Sequence, residues 1–436
     1  MSKSSTLKYL AYFLLISSVM PMWQYHVGVR MMASELFGVL FICIFFTIGV
    51  LKHQLIFKFP LIITQFLSFL IILYFIQILS SVGLIYYGYS YPEFISGAVN
   101  QLFLGAVRSL FILVLFITFS AYLCQLSEQK RHKLIMVFIY SIVASCIYQM
   151  ITLYMLIFNG IDLDSIIWPA ISYGMATDIA TIDTGIIGTG LGTFYRAGGF
   201  TINPNTLAAQ IICVIPFFIF LYIDTSKKIY MLFSILCLAS LLITISRSGL
   251  LAFGIAALTA LLFNFKDLIR KFKMPFVFLS LLIAIIFIYL GGEIYNTIAL
   301  RIAGGMGERS FYLAYGLEIW SESLFFGTGF NTSSISMMRF TDIPNLHNFW
   351  IITAAELGLV GLFFTILYFS FIIFKSFQAN DTYSKALKCS LLGLLVMGFF
   401  NNNLAGFSIQ LFVLLLFCAA HSVPQKYKQG QNFNAS

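Results

Sequence analysis

Residues 293–350 read EIYNTIALRIAGGMGERSFYLAYGLEIWSESLFFGTGFNTSSISMMRFTDIPNLHNFW and connect two long apolar runs. This stretch carries three arginines and no lysine, and it ends at His347-Asn348, where the second apolar run begins. A polar stretch of this length between apolar runs is predicted to lie outside a membrane that the flanking runs cross. Its arginines and its histidine make it the first candidate for a functional site.

The composition of the whole chain excludes a soluble globular protein. Of the 436 residues, 60% are hydrophobic and 9% are charged, and the mean hydropathy is +0.95. Too few polar side chains remain to cover a water-soluble domain, so we predict an all-α polytopic membrane protein. With about 20 apolar residues per span, the sequence predicts about twelve transmembrane helices, near residues 7–23, 33–51, 59–80, 102–124, 134–158, 206–223, 230–246, 249–265, 275–291, 349–374, 386–401 and 405–422.

Basic residues give the predicted orientation. Lysines recur in every second connection and in both tails, from Lys3 to Lys428. By the positive-inside rule these segments are cytoplasmic, which places both termini in the cytoplasm and residues 159–205 and 292–348 in two large periplasmic loops. The net charge of +9 then reflects orientation and contact with anionic membrane lipids, so no nucleic acid partner is expected.

The two loops divide the chain into three regions. Residues 1–158 hold the first five predicted helices. Residues 159–375 hold both loops and the helices between them, and we expect the functional site here. Residues 376–436 hold the last helices and the cytoplasmic tail.

The basic residues outside the cytoplasmic segments are all arginines: Arg30, Arg108, Arg196, Arg247, Arg301, Arg309 and Arg339. A guanidinium group stays charged in a low-dielectric site, and its planar shape suits bidentate binding of phosphate or carboxylate. This bias indicates an anionic ligand at the outer face. The alternative is that these arginines only extend toward the lipid headgroups.

The end of the first loop combines an arginine with a helix start. Arg196 is followed by Gly198-Gly199 and then by Asn203-Pro204-Asn205-Thr206, directly before an apolar run. Glycine allows a close approach of the backbone to a ligand, and Asn-Pro favours the start of a helix. We therefore expect Arg196 near a helix N-terminus, where anions are stabilised.

Arg247 lies in the short sequence Ser246-Arg247-Ser248-Gly249 between two predicted spans. No loop surrounds it, so the arginine is expected at or near membrane depth and in need of an anionic partner. That partner is either a ligand or a carboxylate of the chain such as Glu308.

His347 is the only histidine in a long outer loop, and it opens a predicted span. We expect it close to the arginine-rich loops and able to transfer a proton near neutral pH. After Arg309, Tyr312, Tyr315 and Trp320 recur at about helical spacing, which predicts an amphipathic helix along the membrane surface. These aromatic rings either pack together or stack on a sugar.

Two features of the first half have structural alternatives. Arg108, near the outer end of the fourth span, either binds a ligand or reaches the headgroups. Asp162 and Asp164 resemble a metal-binding pair, but their apolar neighbours favour a loop or helix-start role.

Four motifs together resemble the O-antigen polymerase and O-antigen ligase superfamily. They are RAGGFTINPNTLA at 196–208, TISRSGL at 244–250, the segment 309–329 ending in LFFGTG, and His347-Asn348 followed by Gly358-Leu359-Val360-Gly361. The resemblance covers about residues 190–375. It implies a GT-C-like glycosyltransferase of the bacterial inner membrane that uses undecaprenyl-pyrophosphate-linked saccharide as donor and acceptor, without a metal or another cofactor.

The resemblance also implies roles for individual residues. Arg247, Arg309 and His347 match residues linked to catalysis or pyrophosphate binding, and Arg196 resembles the first-loop arginine of polymerases. For substrate binding we assign Arg196, Arg301, Arg339, Asn348 and Arg108. The first-loop motif favours a polymerase, for which a chain-length regulator is a candidate partner. The alternatives are a ligase that transfers the glycan to lipid A-core and a lipid-linked oligosaccharide flippase or transporter.

Overall fold

The computed structural model describes residues 3–21, 24–27, 29–51, 59–84, 91–92, 95–171, 187–189, 192–194, 198–201, 203–265, 308–341 and 346–422. The predicted span near 275–291 and residues 172–186, 190–191, 195–197 and 202 of the predicted first outer loop lie outside these residues.

The described chain is mainly helical. Its helices are α1 (Lys3–Ser18), α2 (Ala33–Leu51), α3 (Leu61–Leu79), α4 (Ile95–Gln125), α5 (Glu128–Asn159), α6 (Leu163–Ile171), α7 (Pro204–Thr225), α8 (Lys228–Ile243), α9 (Arg247–Phe265), α10 (Glu308–Glu322), α11 (Ser333–Met337), α12 (Phe349–Gln378), α13 (Thr382–Met397) and α14 (Phe407–His421). Short 3-10 turns lie at Gly199–Thr201 and Asn403–Ala405.

Among the described residues, seven helices are long and apolar enough to cross a membrane: α2, α3, α4, α5, α7, α9 and α12. Four further predicted spans coincide with the shorter helices α1, α8, α13 and α14. The predicted helical, multi-pass membrane architecture is therefore confirmed. The count of twelve spans and the orientation stay predictions.

Two short hairpins interrupt the helical pattern that the sequence predicts. Strands β1 (Gln24–Val27) and β2 (Val29–Met32) pair antiparallel before α2, and β3 (Ile187–Thr189) pairs with β4 (Gly192–Phe194) in the first loop. Both lie in predicted outer connections and contain β-branched or aromatic residues, which favour extended pairing where no amphipathic helical pattern competes.

Local capping signals place two helix starts where the sequence predicts them. Asn203 is the N-cap of α7, with its side chain accepting from the Asn205 N–H at 2.9 Å and Pro204 in the first turn. At α6, Asp162 Oδ1 accepts from the Asp164 N–H at 3.0 Å. This confirms a helix-start role for Asp162.

Helix α7 lies at the centre of the bundle. Phe217, Phe218 and Phe220 are fully buried, and the helix packs against α8 and α13. Most of its side chains are buried from its first turn onward. The residues at its N-terminus are therefore fixed in position by a packed core.

The connections between helices define two opposite ends of this bundle. At one end, Thr382 donates to Asp224 and His132 Nδ1 lies 3.0 Å from the Tyr383 hydroxyl. We call this the basic end; it comprises residues 125–133, 224–228 and 378–385 and carries Lys130, Arg131, Lys133, Lys227, Lys228 and Lys385. We call the opposite end the site end; it comprises residues 203–206, 244–249, 346–349 and 398–406.

Candidate functional site

The turn between α8 and α9 is fixed to the start of α7. Ser246 Oγ donates to Asn205 Oδ1 at 2.8 Å and accepts from the Gly249 N–H at 3.2 Å. Ile245, directly before this turn, has a φ of 49°. A β-branched residue in the left-handed region is strained, so the turn is held in one shape by its surroundings. Its arginine, Arg247, is exposed.

A second turn, residues 398–406 between α13 and α14, joins the first one to α12. Asn401 Nδ2 donates to Ser248 Oγ at 2.5 Å, and its carbonyl oxygen accepts from the Phe349 N–H at 3.3 Å. The Thr206 hydroxyl donates to Asn403 Oδ1 at 3.2 Å. The starts of α7, α9 and α12 therefore meet around a single asparagine-rich turn.

His347 immediately precedes the start of α12 and lies in this group. Its φ is 49°, so it is the second residue of the site end with a strained left-handed backbone; such outliers cluster at functional sites. The next residue, Asn348, caps α12 by accepting from the N–H groups of Trp350 and Ile351 at 3.0 and 3.1 Å. The histidine is partly buried.

Helix α10, which carries the candidate residue Arg309, lies close to His347. The Tyr312 ring lies 6.0 Å from the His347 ring, centroid to centroid. A Cβ on Gly316 would lie 2.3 Å from Ile351 Cγ2, which shows how closely α10 approaches α12. The backbone of Arg309 lies one turn before Tyr312 on the same helix face. The side chains of Arg309 and Glu308 lie outside the described part, as do all atoms of Arg196 and Arg301.

The electrostatics of the site end favour an anion. Each helix start carries a partial positive charge from N–H groups that have no partner within the helix. Three such starts meet here, and Arg247 adds a full positive charge beside them. The arrangement can stabilise a phosphate group or a developing oxyanion, and the imidazole of His347 supplies a group that can accept or donate a proton.

Residues 232–366 match the family model of the O-antigen ligases. The match confirms the resemblance to the O-antigen polymerase and ligase superfamily that the motifs indicate. It includes Arg247, Arg309 and His347, and it ends within α12. A comparison with curated proteins found no match. The chain is thus a multi-pass membrane protein in which residues 232–366 are similar to the O-antigen ligases, and this similarity supports a function of the ligase or polymerase type.

The other two assigned arginines among the described residues, Arg108 and Arg339, each pair with a carboxylate of the chain. Arg108 Nε donates to Glu35 Oε1 at 2.7 Å, and its side chain is 54% exposed. Arg339 donates through both terminal nitrogens to the Glu322 carboxylate at 2.8 and 3.0 Å, and its side chain is only 9% exposed. Each already holds a carboxylate, so a phosphate at either residue would have to share or displace that partner.

The Arg339–Glu322 pair is part of a larger cluster. The Arg339 guanidinium lies 4.1 Å from the Tyr91 ring centroid, and the Tyr91 hydroxyl donates to Glu322 Oε1 at 3.0 Å. This hydrogen bond to a carboxylate raises the pKa of Tyr91 because it stabilises the protonated hydroxyl. The cluster connects the end of α10 to residue 91, which is distant in sequence.

Replacing Arg339 by lysine is expected to lower the free energy of unfolding by about 2 kcal/mol, because lysine cannot form two parallel bonds to Glu322. The matched control is R108K, which alters an exposed pair and is expected to change stability by less than about 1 kcal/mol. Thermal unfolding of both variants in detergent measures the difference. Equal shifts in Tm would contradict a structural role for the partly buried Arg339–Glu322 pair.

Sequence reasoning missed two parts of this end of the molecule. The first is the turn at residues 398–406, in which Asn401 joins the Arg247 turn to the start of α12. Three consecutive asparagines, at 401–403, between two apolar runs were the available signal.

The second missed part is a break in α12 at Gly358, where the sequence predicts one continuous span. Gly358 has φ 66° and ψ −167°, a conformation essentially restricted to glycine. The loop at residues 324–329 fills the break: Thr328 and Gly329 N–H groups donate to the carbonyl oxygens of Ala355 and Glu356 at 2.8 and 3.1 Å. In the other direction, the Leu359 N–H donates to the Leu324 carbonyl oxygen at 2.8 Å. The LFFGTG motif thus completes the hydrogen bonding of a broken helix.

Glu356, beside the break, is a buried carboxylate of α12. It accepts from the Asn331 N–H at 2.9 Å and from the Ser333 hydroxyl and N–H at 2.6 and 3.2 Å. These bonds hold residues 331–333, including the first residue of α11, against α12. The second loop is therefore fixed to α12 on both sides of Gly358, and α12 in turn carries His347 at its start.

Proposed function

We propose that the protein is a polymerase of O-antigen or a related surface polysaccharide. It transfers a glycan from undecaprenyl pyrophosphate to a lipid-linked repeat-unit acceptor at the periplasmic face of the inner membrane. The observation that carries the proposal is the meeting of Arg247, His347 and three helix starts at one end of the bundle. An anionic leaving group and an acceptor hydroxyl are the reactants that this set of groups suits.

The reaction follows from the chemistry of the donor. The acceptor hydroxyl oxygen attacks the anomeric carbon, and the bond from that carbon to the pyrophosphate oxygen breaks. The electron pair leaves with the diphosphate, whose growing negative charge Arg247 and Arg309 stabilise. His347 accepts the proton of the attacking hydroxyl. Attack opposite to the leaving group inverts the configuration at the anomeric carbon.

The broken helix supports this assignment of roles. A general base must be held in position relative to the reacting atoms, and His347 sits on a helix that Glu356 and residues 324–329 tie to the second loop. In the same way, Asn401 and Ser246 hold the Arg247 turn against α7. Both reactive groups are thus anchored on packed helices.

The second candidate is an O-antigen ligase, which uses the same donor and lipid A-core as acceptor. The description of the matching family favours it, whereas the RAGGF sequence before α7 favours the polymerase. Deleting the gene in a smooth strain separates them. A single repeat unit on lipid A-core is expected for a lost polymerase, and no repeat unit for a lost ligase.

Transfer of radiolabelled repeat units by the purified protein in detergent tests the proposal. We expect longer lipid-linked products without a membrane gradient and in the presence of a chelator. If the purified protein leaves the substrate unchanged while it moves the same lipid across vesicle membranes, the transporter alternative replaces the enzyme. Loss of transfer on chelation would contradict the metal-independent mechanism.

Asn401 provides a test of how the site is positioned. N401A is expected to lower the turnover rate of transfer by about 10-fold, with a smaller change in KM, because it releases Ser248 beside Arg247. The matched control is N402A, in the same turn, because Asn402 is exposed and its side chain makes no capping bond. Equal effects of the two substitutions on turnover would contradict a positioning role for Asn401.

A further inference from the structure

The loop after α10 presents three adjacent apolar side chains to its surroundings. Leu324, Phe325 and Phe326 are 43%, 62% and 42% exposed. They belong to a segment that the sequence places in the periplasm. A contiguous exposed group of large apolar side chains marks a contact surface, so these residues require an apolar neighbour.

Backbone pairing joins this group to the face of a membrane-spanning helix. The Leu359 and Val360 N–H groups donate to the carbonyl oxygens of Leu324 and Phe325 at 2.8 and 3.2 Å. On α12, Leu359 and Phe363 are 38% and 57% exposed. The exposed side chains of the loop therefore continue an exposed apolar stripe that runs along a candidate membrane span.

Three helices place this loop at the same height above the basic end. Gly358 lies 20 residues before the end of α12. Gly105 lies 20 residues before the end of α4. It contacts the same loop, since a Cβ added at Gly105 would lie 2.8 Å from Asn331 Cβ. Ser80, whose hydroxyl accepts from the Phe330 N–H, lies 19 residues after the start of α3. The first half of α3 packs beside the last turns of α12, since the Phe69 and Phe371 rings lie 5.2 Å apart, so α3 also starts on the side of the basic end.

At 1.5 Å per residue, each of these helices puts the loop about 30 Å from the basic end, which equals the thickness of the hydrocarbon core. The loop also meets the requirement for backbone at this depth. Unpaired backbone groups are costly next to hydrocarbon, and the backbone groups of residues 324, 325, 328 and 329 pair with the backbone of α12, against which this segment packs.

We propose that residues 324–326 insert into the bilayer at the site end and anchor the second loop among acyl chains. By the positive-inside rule this leaflet is the outer one. The segment 308–341 is then bound to the membrane surface rather than extended into the periplasm. The ten residues from Phe349 to Gly358 keep His347 near the headgroup layer, where the diphosphate of a lipid-linked substrate lies.

Site-directed spin labelling of the full-length protein in phosphatidylethanolamine–phosphatidylglycerol nanodiscs tests this insertion. A nitroxide is attached at F325C and, as a matched control, at S321C, since Ser321 is an exposed polar residue at the end of α10. The unsubstituted chain, carried through the same labelling, corrects for the native cysteines. Collision rates with oxygen, which concentrates in lipid, and with a water-soluble nickel complex are then measured by power saturation.

The proposal predicts a several-fold higher ratio of oxygen to nickel collisions at F325C than at S321C. A ratio at F325C equal to that at S321C would overturn it, because the loop would then face water. Low collision rates with both reagents would also overturn it, because residues 324–326 would then pack against protein, either the rest of the chain or a second copy. None of these outcomes depends on glycan transfer, so the test stands apart from the proposed function.

Discussion

Replacing Arg247 by alanine is expected to lower the rate of glycan transfer by about 100- to 1000-fold. This corresponds to about 2.7–4 kcal/mol, the effect of removing one donor to a developing oxyanion in an enzyme site. Arg247 is exposed at the site end, so its loss leaves no cavity in the core and the variant should fold. Single-turnover transfer by the purified variant, with folded protein quantified by size exclusion, measures the effect.

Two further variants show whether the effect arises from the guanidinium group. R247K keeps the positive charge without a planar pair of donors, and we expect an intermediate loss of about 10-fold. K227A removes one positive charge at the basic end and should transfer at the rate of the unsubstituted protein. If R247A and K227A behave alike, Arg247 has no role at the leaving group.

Replacing Gly358 by alanine is expected to destabilise the protein by more than about 3 kcal/mol and to abolish its accumulation in the membrane. Two effects add: a conformation restricted to glycine, at about 1–3 kcal/mol, and a clash with a backbone that cannot move freely. A Cβ at Gly358 would lie 2.2 Å from the carbonyl carbon of Phe325. Fluorescence-detected size exclusion of the tagged variant reports the folded fraction.

The chain offers two matched controls for this prediction. Gly160 also has a φ of 66°, with a ψ of 16° in the left-handed helical region, and a Cβ there meets no atom within 4 Å. G160A therefore measures the cost of a positive φ without a clash, about 1 kcal/mol. Gly254 lies within α9 with open space around it, and G254A should leave stability unchanged or raise it slightly. A G358A variant as stable as G160A would contradict the close fit of residues 324–329 in the broken helix.

Sequence reasoning found those parts of the site end that local chemistry determines. Asn203-Pro204 and Asn348 are capping signals whose hydrogen bonds reach only two or three residues, so the starts of α7 and α12 could be predicted. The helix after Arg309 followed from the spacing of its aromatic residues. The orientation of Arg247 toward the same end as His347 followed from the alternation of apolar runs and lysine-rich connections.

The parts that sequence reasoning missed depend on contacts between distant residues. The partner of Asn401 is Ser248, 153 positions away, and no local pattern indicates that pairing. Glu356 lies in a run read as one span, although an acidic residue two positions before a glycine in such a run was a usable signal. The sequence assigns Arg339 to substrate binding because it is one of the outer arginines. Its actual partner, Glu322, comes close only when residues 323–338 fold back, and no local pattern indicates that fold.

A double-substitution cycle on Arg247 and His347 tests the central claim most directly. Transfer rates of R247A, H347A and the double variant are measured with the purified protein and a polyprenyl-diphosphate-linked repeat unit. If both side chains act on one transition state, the double variant is expected to be about as slow as the slower single variant, because groups that act as a unit are not additive. A double variant whose loss equals the product of the two single losses would contradict a shared catalytic site.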